Sequence, residues 1–307
     1  MSITESYRPD EIMPLDESQG PGYTRGMSSL LTPPAAARFP SDPAPLRLAA
    51  IDLDGTLLGD DRQIGPENRR AVARLAAAGI EVVLASGRHY LSMLPYARQL
   101  PEVRWLVSAQ GGEVSDVART HVLDRRFLAP EQVAAIADVV GRRDVSALYY
   151  TPAAILTDAS AHAGLDFYTA LSGNHTQSVP TSALAGHSIF KVVVAASVAA
   201  IDELVARPDV ARLDVQKVRT HRQIFEFQPH GVTKATALQT LTAHLGLAAR
   251  QVVAFGDGDN DIPMFEWAGL SFAMPHGWPA AQARAHRVAP AGAPNSALAR
   301  AVDLALP

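Results

Sequence analysis

Two aspartates stand two residues apart in Ala50-Ile51-Asp52-Leu53-Asp54-Gly55-Thr56, directly after an apolar run. In an extended chain that spacing points both side chains the same way. Like charges held so close need a cation or a shared proton. One carboxylate of such a pair can attack phosphorus while the other handles the leaving-group proton. Gly55 would let backbone approach a ligand, although the segment alone also reads as an Asp-rich turn with a positive φ at Gly55. Three further segments share this character. Leu84-Ala85-Ser86-Gly87-Arg88 offers phosphate oxygens a hydroxyl and two backbone N–H groups, unless Ser86 is an ordinary helix N-cap. Lys234, in Gly231-Val232-Thr233-Lys234, is one of three lysines, with Lys191 and Lys217, among 27 basic residues. At a helix start it is either a compact point charge placed for a purpose or a solvated cation that the helix dipole mildly disfavours.

The fourth segment, Phe255-Gly256-Asp257-Gly258-Asp259-Asn260-Asp261, crowds three acids and an Asn into five residues after a buried strand. Read as more than an acidic surface turn, it is an oxygen-rich site for a hard cation such as Mg²⁺. It lacks the closing bidentate Glu of an EF-hand. It also puts acids where a dinucleotide fingerprint needs N–H groups. A Mg²⁺ bridging Asp52, the backbone carbonyl of Asp54 and Asp257 would relieve the crowded carboxylates and clamp a phosphoryl group. Lys234 would then balance the charge gathering on Asp52 and the phosphate.

Elements that could position these groups are visible in the periodicity. LRLAAIDL, EVVLASGR, RWLVSAQGG and QVVAFGDGDND read as strands buried on both faces, each ending at one of the chemical segments or at a Gly pair. PENRRAVARLAAAGI, MLPYARQL, TKATALQTLTAHLGL, DIPMFEWAG and SALARAVDLAL read as helices, with Gly79 as a stop and Thr233 as a cap. Alternation of this kind predicts an α/β fold, a Rossmann-like parallel sheet with helices on both faces and ligands at the strand ends. Between residues 113 and 221 the order is more mixed. It begins with a helix over PEQVAAIADVVGRR and a SALYY–AILTD hairpin. A helix near AGLDFYTAL, the strand IFKVVVAA, a helix near AAIDELVA and the strands RLDVQKV and QIFEF follow. This predicts an inserted α+β domain at 113–221, with the core at 46–112 and 222–307. Residues 1–45, rich in Pro, Ser and Gly, read as a disordered arm.

Composition narrows the function. A net charge of −4 excludes the basic footprint of a nucleic-acid binder. No apolar run reaches the length of a membrane span. The absence of cysteine removes thiolate metal sites and cysteine nucleophiles and fits a reducing, cytoplasmic setting. The expected partner is a small phosphorylated metabolite, with no nucleic acid and no membrane, bound by a monomer or homodimer.

The ordered set DLDGT, SGR, K and GDGDND resembles the haloacid dehalogenase superfamily of phosphatases, and within it the Cof-type branch with an α/β cap between the second and third motifs. The resemblance covers roughly Leu46 to Pro307. It implies Asp52 as the nucleophile that becomes an aspartyl-phosphate and Asp54 as the general acid/base. Gly55, Thr56, Ser86, Gly87, Arg88, Lys234 and Asn260 would surround the substrate phosphate. Asp52, Asp54, Asp257 and Asp261 would hold Mg²⁺, Asp261 through a bound water. Asp259 falls on a variable position. Sugar phosphates, pyridoxal phosphate or flavin mononucleotide are the implied substrate types. Transfer to a sugar by a mutase or phosphotransferase, or a silent phosphate-binding regulatory module, are the alternatives. Two stretches depart from the branch: Gln110-Gly111-Gly112 stands where Asn-Gly is usual, and Ala273-Met274-Pro275-His276-Gly277 where Ala-Met-Gly-Asn-Ala is usual. His276 is expected to be a solvated loop residue.

Overall fold

Strands formed by the apolar runs and helices formed by the periodic stretches alternate from the first described residue. The computed structural model describes residues 45–141, 145–158, 168 and 176–306. The expected N-terminal arm lies outside them, as does, apart from Tyr168, the helix expected near AGLDFYTAL. In chain order the first part comprises β1 (Leu48–Ile51), α1 (Pro66–Ala77), β2 (Glu81–Ala85), α2 (Tyr90–Ala97), β3 (Val103–Ser108), β4 (Glu113–Asp116) and β5 (Val122–Arg125). The middle comprises α3 (Pro130–Val140), β6 (Ser146–Tyr150), β7 (Ile155–Asp158), β8 (Thr176–Val179), β9 (Lys191–Ala195), α4 (Val198–Val205), α5 (Pro208–Arg212), β10 (Gln216–His221) and β11 (Ile224–Gln228). The last part comprises α6 (Lys234–Leu245), β12 (Val252–Gly256), α7 (Ile262–Trp267), β13 (Leu270–Ala273), α8 (Pro279–Arg284), β14 (Arg287–Val288) and α9 (Ala297–Ala305).

An eight-stranded sheet runs in the order β14-β13-β12-β1-β2-β3-β4-β5. Its first six strands are parallel; β4 pairs antiparallel with β3, and β5 antiparallel with β4. Alternate residues of each strand feed two cores, as a period of two requires. Ala49, Ile51, Val82, Leu84, Val253 and Phe255 pack with Val72, Leu75, Met93 and Leu298 of α1, α2 and α9. Leu48, Ala50, Val83, Ala85, Val252 and Ala254 pack with Leu238, Leu241, Met264 and Phe265 of α6 and α7. Helices on both faces follow directly from apolar strands with no polar side.

A second, six-stranded sheet has the order β10-β11-β9-β6-β7-β8. One face carries Ala147, Tyr149, Val192, Val194 and Phe227 against Ile136, Val140, Ile201 and Leu204 of α3 and α4. The other face carries Leu148, Tyr150, Val193, Ala195 and Ile224 and packs with Ala109, just past β3. There the His89 and Tyr150 rings meet edge to face at 5.5 Å, and His89 Nε2 donates to the Thr151 carbonyl at 2.7 Å.

Strand pairing corrects the boundaries expected at 113 and 222. β4 and β5 extend the larger sheet by pairing with β3, whereas β11 belongs to the smaller one. The chain therefore crosses between sheets at residues 126–129 and 229–233. The hairpin escaped the sequence pattern because its buried Glu113 is not apolar. Arg119 and Arg125 each hold one of its oxygens at 2.8 Å, which removes the cost of burying the charge.

Candidate active site

β1 and β12 are neighbours, and the larger sheet pairs them in parallel, so the acids that follow them emerge side by side. The Asp52 N–H donates to the Phe255 carbonyl at 2.9 Å, prolonging the ladder one residue past β1. The chain then turns back, with the Leu58 N–H on the Leu53 carbonyl at 2.9 Å. Gly55 takes φ +73° in this turn, and a Cβ there would lie 2.4 Å from Asp257 Oδ2. No other residue type fits that approach. Thr56 Oγ1 is 3.4 Å from Asp257 Oδ1.

Asp52, Asp257 and Asp261 each offer an oxygen within 4.8 Å of the others. Lys234, fully buried at the start of α6, donates to Asp52 Oδ1 at 2.5 Å and to Asp261 Oδ1 at 2.6 Å. Its helix is fixed by Thr233, whose Oγ1 accepts the Thr236 N–H at 3.1 Å. Asp261 is the hub of its loop. Its Oδ2 accepts the N–H groups of Asp257 and Gly258 at 2.9 and 3.0 Å, and a Cβ on Gly256 would fall 2.4 Å from its Cγ.

Three carboxylates, Asp52 and Asp261 buried and Asp257 partly so, against one ammonium leave an excess of two negative charges when all are ionised. Burial, only partly offset by Lys234 and reinforced by Asp261, pushes Asp52 up to about 7. Burial, with Asp52 and Asp261 adding to it, pushes Asp257 well above the usual carboxylate range. Burial pulls Lys234 down, but Asp261 and Asp52 outweigh it and hold the ammonium above its ordinary value. An all-oxygen cluster strained toward protonation is the donor set that a hard divalent cation fits.

The two acids of the first motif do not share this environment. Asp54 is half exposed and its carboxylate is gripped by Arg88, Nε to Oδ2 at 2.8 Å and Nη2 to Oδ1 at 2.5 Å, while its charge still adds to the upward shift of Asp52 and Asp257. Arg88 in turn lies 5.3 Å above the Tyr96 ring. Each member of the Asp pair thus has its own cation, and the buried member crowds most closely with Asp257 and Asp261.

Ser86 is buried, and its Oγ accepts the Arg88 N–H at 3.1 Å. It does not cap the helix. That place is taken by His89, whose Nδ1 accepts the Leu91 N–H at 3.2 Å. Gly87 is close to Gln110, where a Cβ would come 2.6 Å from Nε2. Gln110, one of the departures noted above, adopts φ +62° and is buried. Its Oε1 accepts from Asn260 Nδ2 at 3.2 Å, so it bridges the second and fourth motifs, a role no local pattern announces. His276, expected to be solvated, is exposed, yet its Nε2 donates to the Gly55 carbonyl at 2.7 Å, which ties the turn after β13 to the first motif.

With this geometry in hand, comparison with known proteins is specific. A family model described as haloacid dehalogenase-like hydrolase matches residues 49–301. An HMP-PP phosphatase of Cronobacter sakazakii is 30% identical over 234 residues, 76% of this chain and 85% of the relative. A 5-amino-6-(5-phospho-D-ribitylamino)uracil phosphatase of Bacillus subtilis is 25% identical over 238 residues, 75% of this chain and 84% of the relative. Among solved structures, a haloacid dehalogenase-like hydrolase of Bacteroides thetaiotaomicron superposes with a TM-score of 0.74 at 24% identity, covering 85% of this chain and 100% of the other.

Proposed function

The chain belongs to the haloacid dehalogenase-like hydrolases of the Cof type, as a phosphoric monoester hydrolase, and from that premise we propose that it hydrolyses a small phosphorylated metabolite through an aspartyl-phosphate on Asp52. The observation that carries this reading is the convergence of Asp52, Asp257, Asp261 and Lys234 at two adjacent strand ends. The relatives' activities on HMP-PP and on a phosphoribityl uracil support the size and class of substrate.

An Asp52 oxygen attacks phosphorus, and the bond from phosphorus to the leaving oxygen breaks. Asp54, at the solvent edge of the site, takes up a proton from solvent as substrate displaces it from Arg88 and gives that proton to the leaving oxygen. The released alcohol departs. Asp54, now a carboxylate, takes a proton from water as the water oxygen attacks phosphorus. The Asp52–phosphorus bond breaks and inorganic phosphate leaves. Lys234 holds positive charge beside Asp52 throughout, and the Ser86 hydroxyl with the N–H groups of the neighbouring loop supplies donors to the phosphoryl oxygens. Asp52, Asp257 and the Asp54 backbone carbonyl would hold Mg²⁺, with Asp261 behind them. That ion supplies charge neutralisation and a template for the phosphoryl group. Arg88 orients the Asp54 carboxylate at the solvent edge while Lys234 serves Asp52, so the two aspartates divide nucleophilic and proton-transfer work. The smaller sheet, whose inner face meets Ala109 and His89 beside the site, serves as the cap that limits water and shapes the substrate space.

Purified protein should release phosphate from p-nitrophenyl phosphate in Mg²⁺ and lose that activity in EDTA. Asp52→Asn should lower kcat by about 10⁴-fold or more. Equal rates for wild type and Asp52→Asn would refute the assignment.

A further inference from the structure

One buried side chain at the site has half of its hydrogen-bonding capacity unused. Gln110 is only 5% exposed. Its Oε1 accepts from Asn260 Nδ2 at 3.2 Å, yet its Nε2 has no hydrogen-bond partner among the described residues. A buried amide N–H group without an acceptor is costly and uncommon in a folded protein. Which end of the amide faces which way is fixed, because the Asn260 amino group requires an oxygen opposite it. The nitrogen is therefore turned to the other side, over Gly87, where a Cβ would come 2.6 Å from it. That is the loop whose N–H groups, with the Ser86 hydroxyl, meet the phosphoryl oxygens in the reading above.

The backbone that puts the amide there is strained and held from several sides. Ala109, Gln110 and Gly111 take φ of +52°, +62° and +105° in succession. Left-handed backbone is uncommon for a side chain as long as Gln. Asn adopts it more readily but is one methylene shorter, so the residue present trades conformational ease for reach. The Ala109 N–H donates to the Arg88 carbonyl at 2.8 Å and the Gln110 N–H to the Ser86 carbonyl at 3.1 Å. A Cβ on Gly111 would lie 2.3 Å from the Thr233 carbonyl oxygen, so the same turn presses against the residue before Lys234. One short turn is thus fixed to the Ser86 loop, to the helix start that carries Lys234 and, through Asn260, to the acidic loop. Strain persists where the surroundings over-determine it, and a ligand clamp is one such place.

We propose that Gln110 is a further catalytic residue, whose Nε2 donates a hydrogen bond to an oxygen of the phosphoryl group while its Oε1 holds the Asn260 amide in place. The phosphoryl oxygen is the acceptor that the buried nitrogen lacks. The inference rests on the phosphatase reading given above and adds to it a neutral donor on the side of Gly87.

The test uses full-length protein in Mg²⁺, with titration calorimetry of inorganic phosphate beside the kinetics of p-nitrophenyl phosphate. Gln110→Met keeps the length of the side chain and removes both amide groups. It should weaken phosphate binding about tenfold or more and lower kcat/KM by at least as much, while affinity for Mg²⁺ titrated alone stays within about twofold of wild type. Gln110→Glu keeps an acceptor for Asn260 but loses the donor, and should bind phosphate more weakly still. Adding Gln110→Met to Asn260→Ala should cost about another fivefold or more in phosphate affinity, because the two residues then act on phosphate separately. Unchanged phosphate affinity in Gln110→Met or Gln110→Glu, a parallel loss of Mg²⁺ affinity in Gln110→Met, or no further loss in the double variant overturns the proposal. Gln110-dependent phosphate binding by a protein that releases nothing from p-nitrophenyl phosphate would instead keep this donor and sink the phosphatase reading.

Discussion

Two of the three lysines are buried against carboxylates, and the contrast between them separates chemistry from architecture. Lys191, on the inner face of the smaller sheet, meets one acid, Glu226, at 2.7 Å and lies 4.9 Å from the Tyr150 ring centroid. Burial holds its pKa below the ordinary lysine value; Glu226 opposes that shift and Lys234 adds to it. Lys234 meets two acids and neighbours a third, and its pKa is held above the ordinary value despite equal burial. One charge against one charge makes a closed ion pair. One ammonium against three carboxylates makes a site that still lacks positive charge. The same side chain, equally dry, closes a pair in one case and leaves carboxylates uncompensated in the other.

Substituting the two lysines should pull these roles apart. Lys234→Met should reduce phosphatase kcat by about 10³-fold, as loss of a charge that stabilises the transition state does elsewhere. Rates within tenfold of wild type would erase the distinction. Lys191→Met, in contrast, should chiefly cost stability, about 3–5 kcal/mol in denaturant unfolding, because Glu226 is left buried and unpaired. The double variant Lys191→Met/Glu226→Leu should recover most of that loss. If the double is as unstable as the single, the pair is not the closed unit described here.

The sequence announced much of this asymmetry. Asp52, Asp257 and Asp261 were legible because apolar strands end at acids, and Lys234 because a lone lysine opens a Thr-capped helix in an Arg-rich chain. The grip on the Asp54 carboxylate was not. It depends on Arg88, 34 residues away, which no local spacing specifies. Gln110 joined the site through a left-handed backbone that its residue type does not predict. The β4–β5 hairpin was hidden because a buried Glu113 satisfied by arginines looks, in sequence, like a polar loop.

The central claim is that excess negative charge at Asp52, Asp257 and Asp261 is a divalent cation site, and melting temperature against pH tests it most directly. Without a bound cation, burial pushes Asp52 up to about 7, against 3.8 ordinarily. The folded chain therefore binds an extra proton between those values, and stability falls as pH rises through that window. Asp257, also raised, acts in the same sense. The account predicts that EDTA-treated protein melts on the order of 5 °C lower at pH 8 than at pH 5.5, and that millimolar Mg²⁺ removes the difference by raising the pH 8 value. A melting temperature at pH 8 that Mg²⁺ leaves unmoved would contradict it.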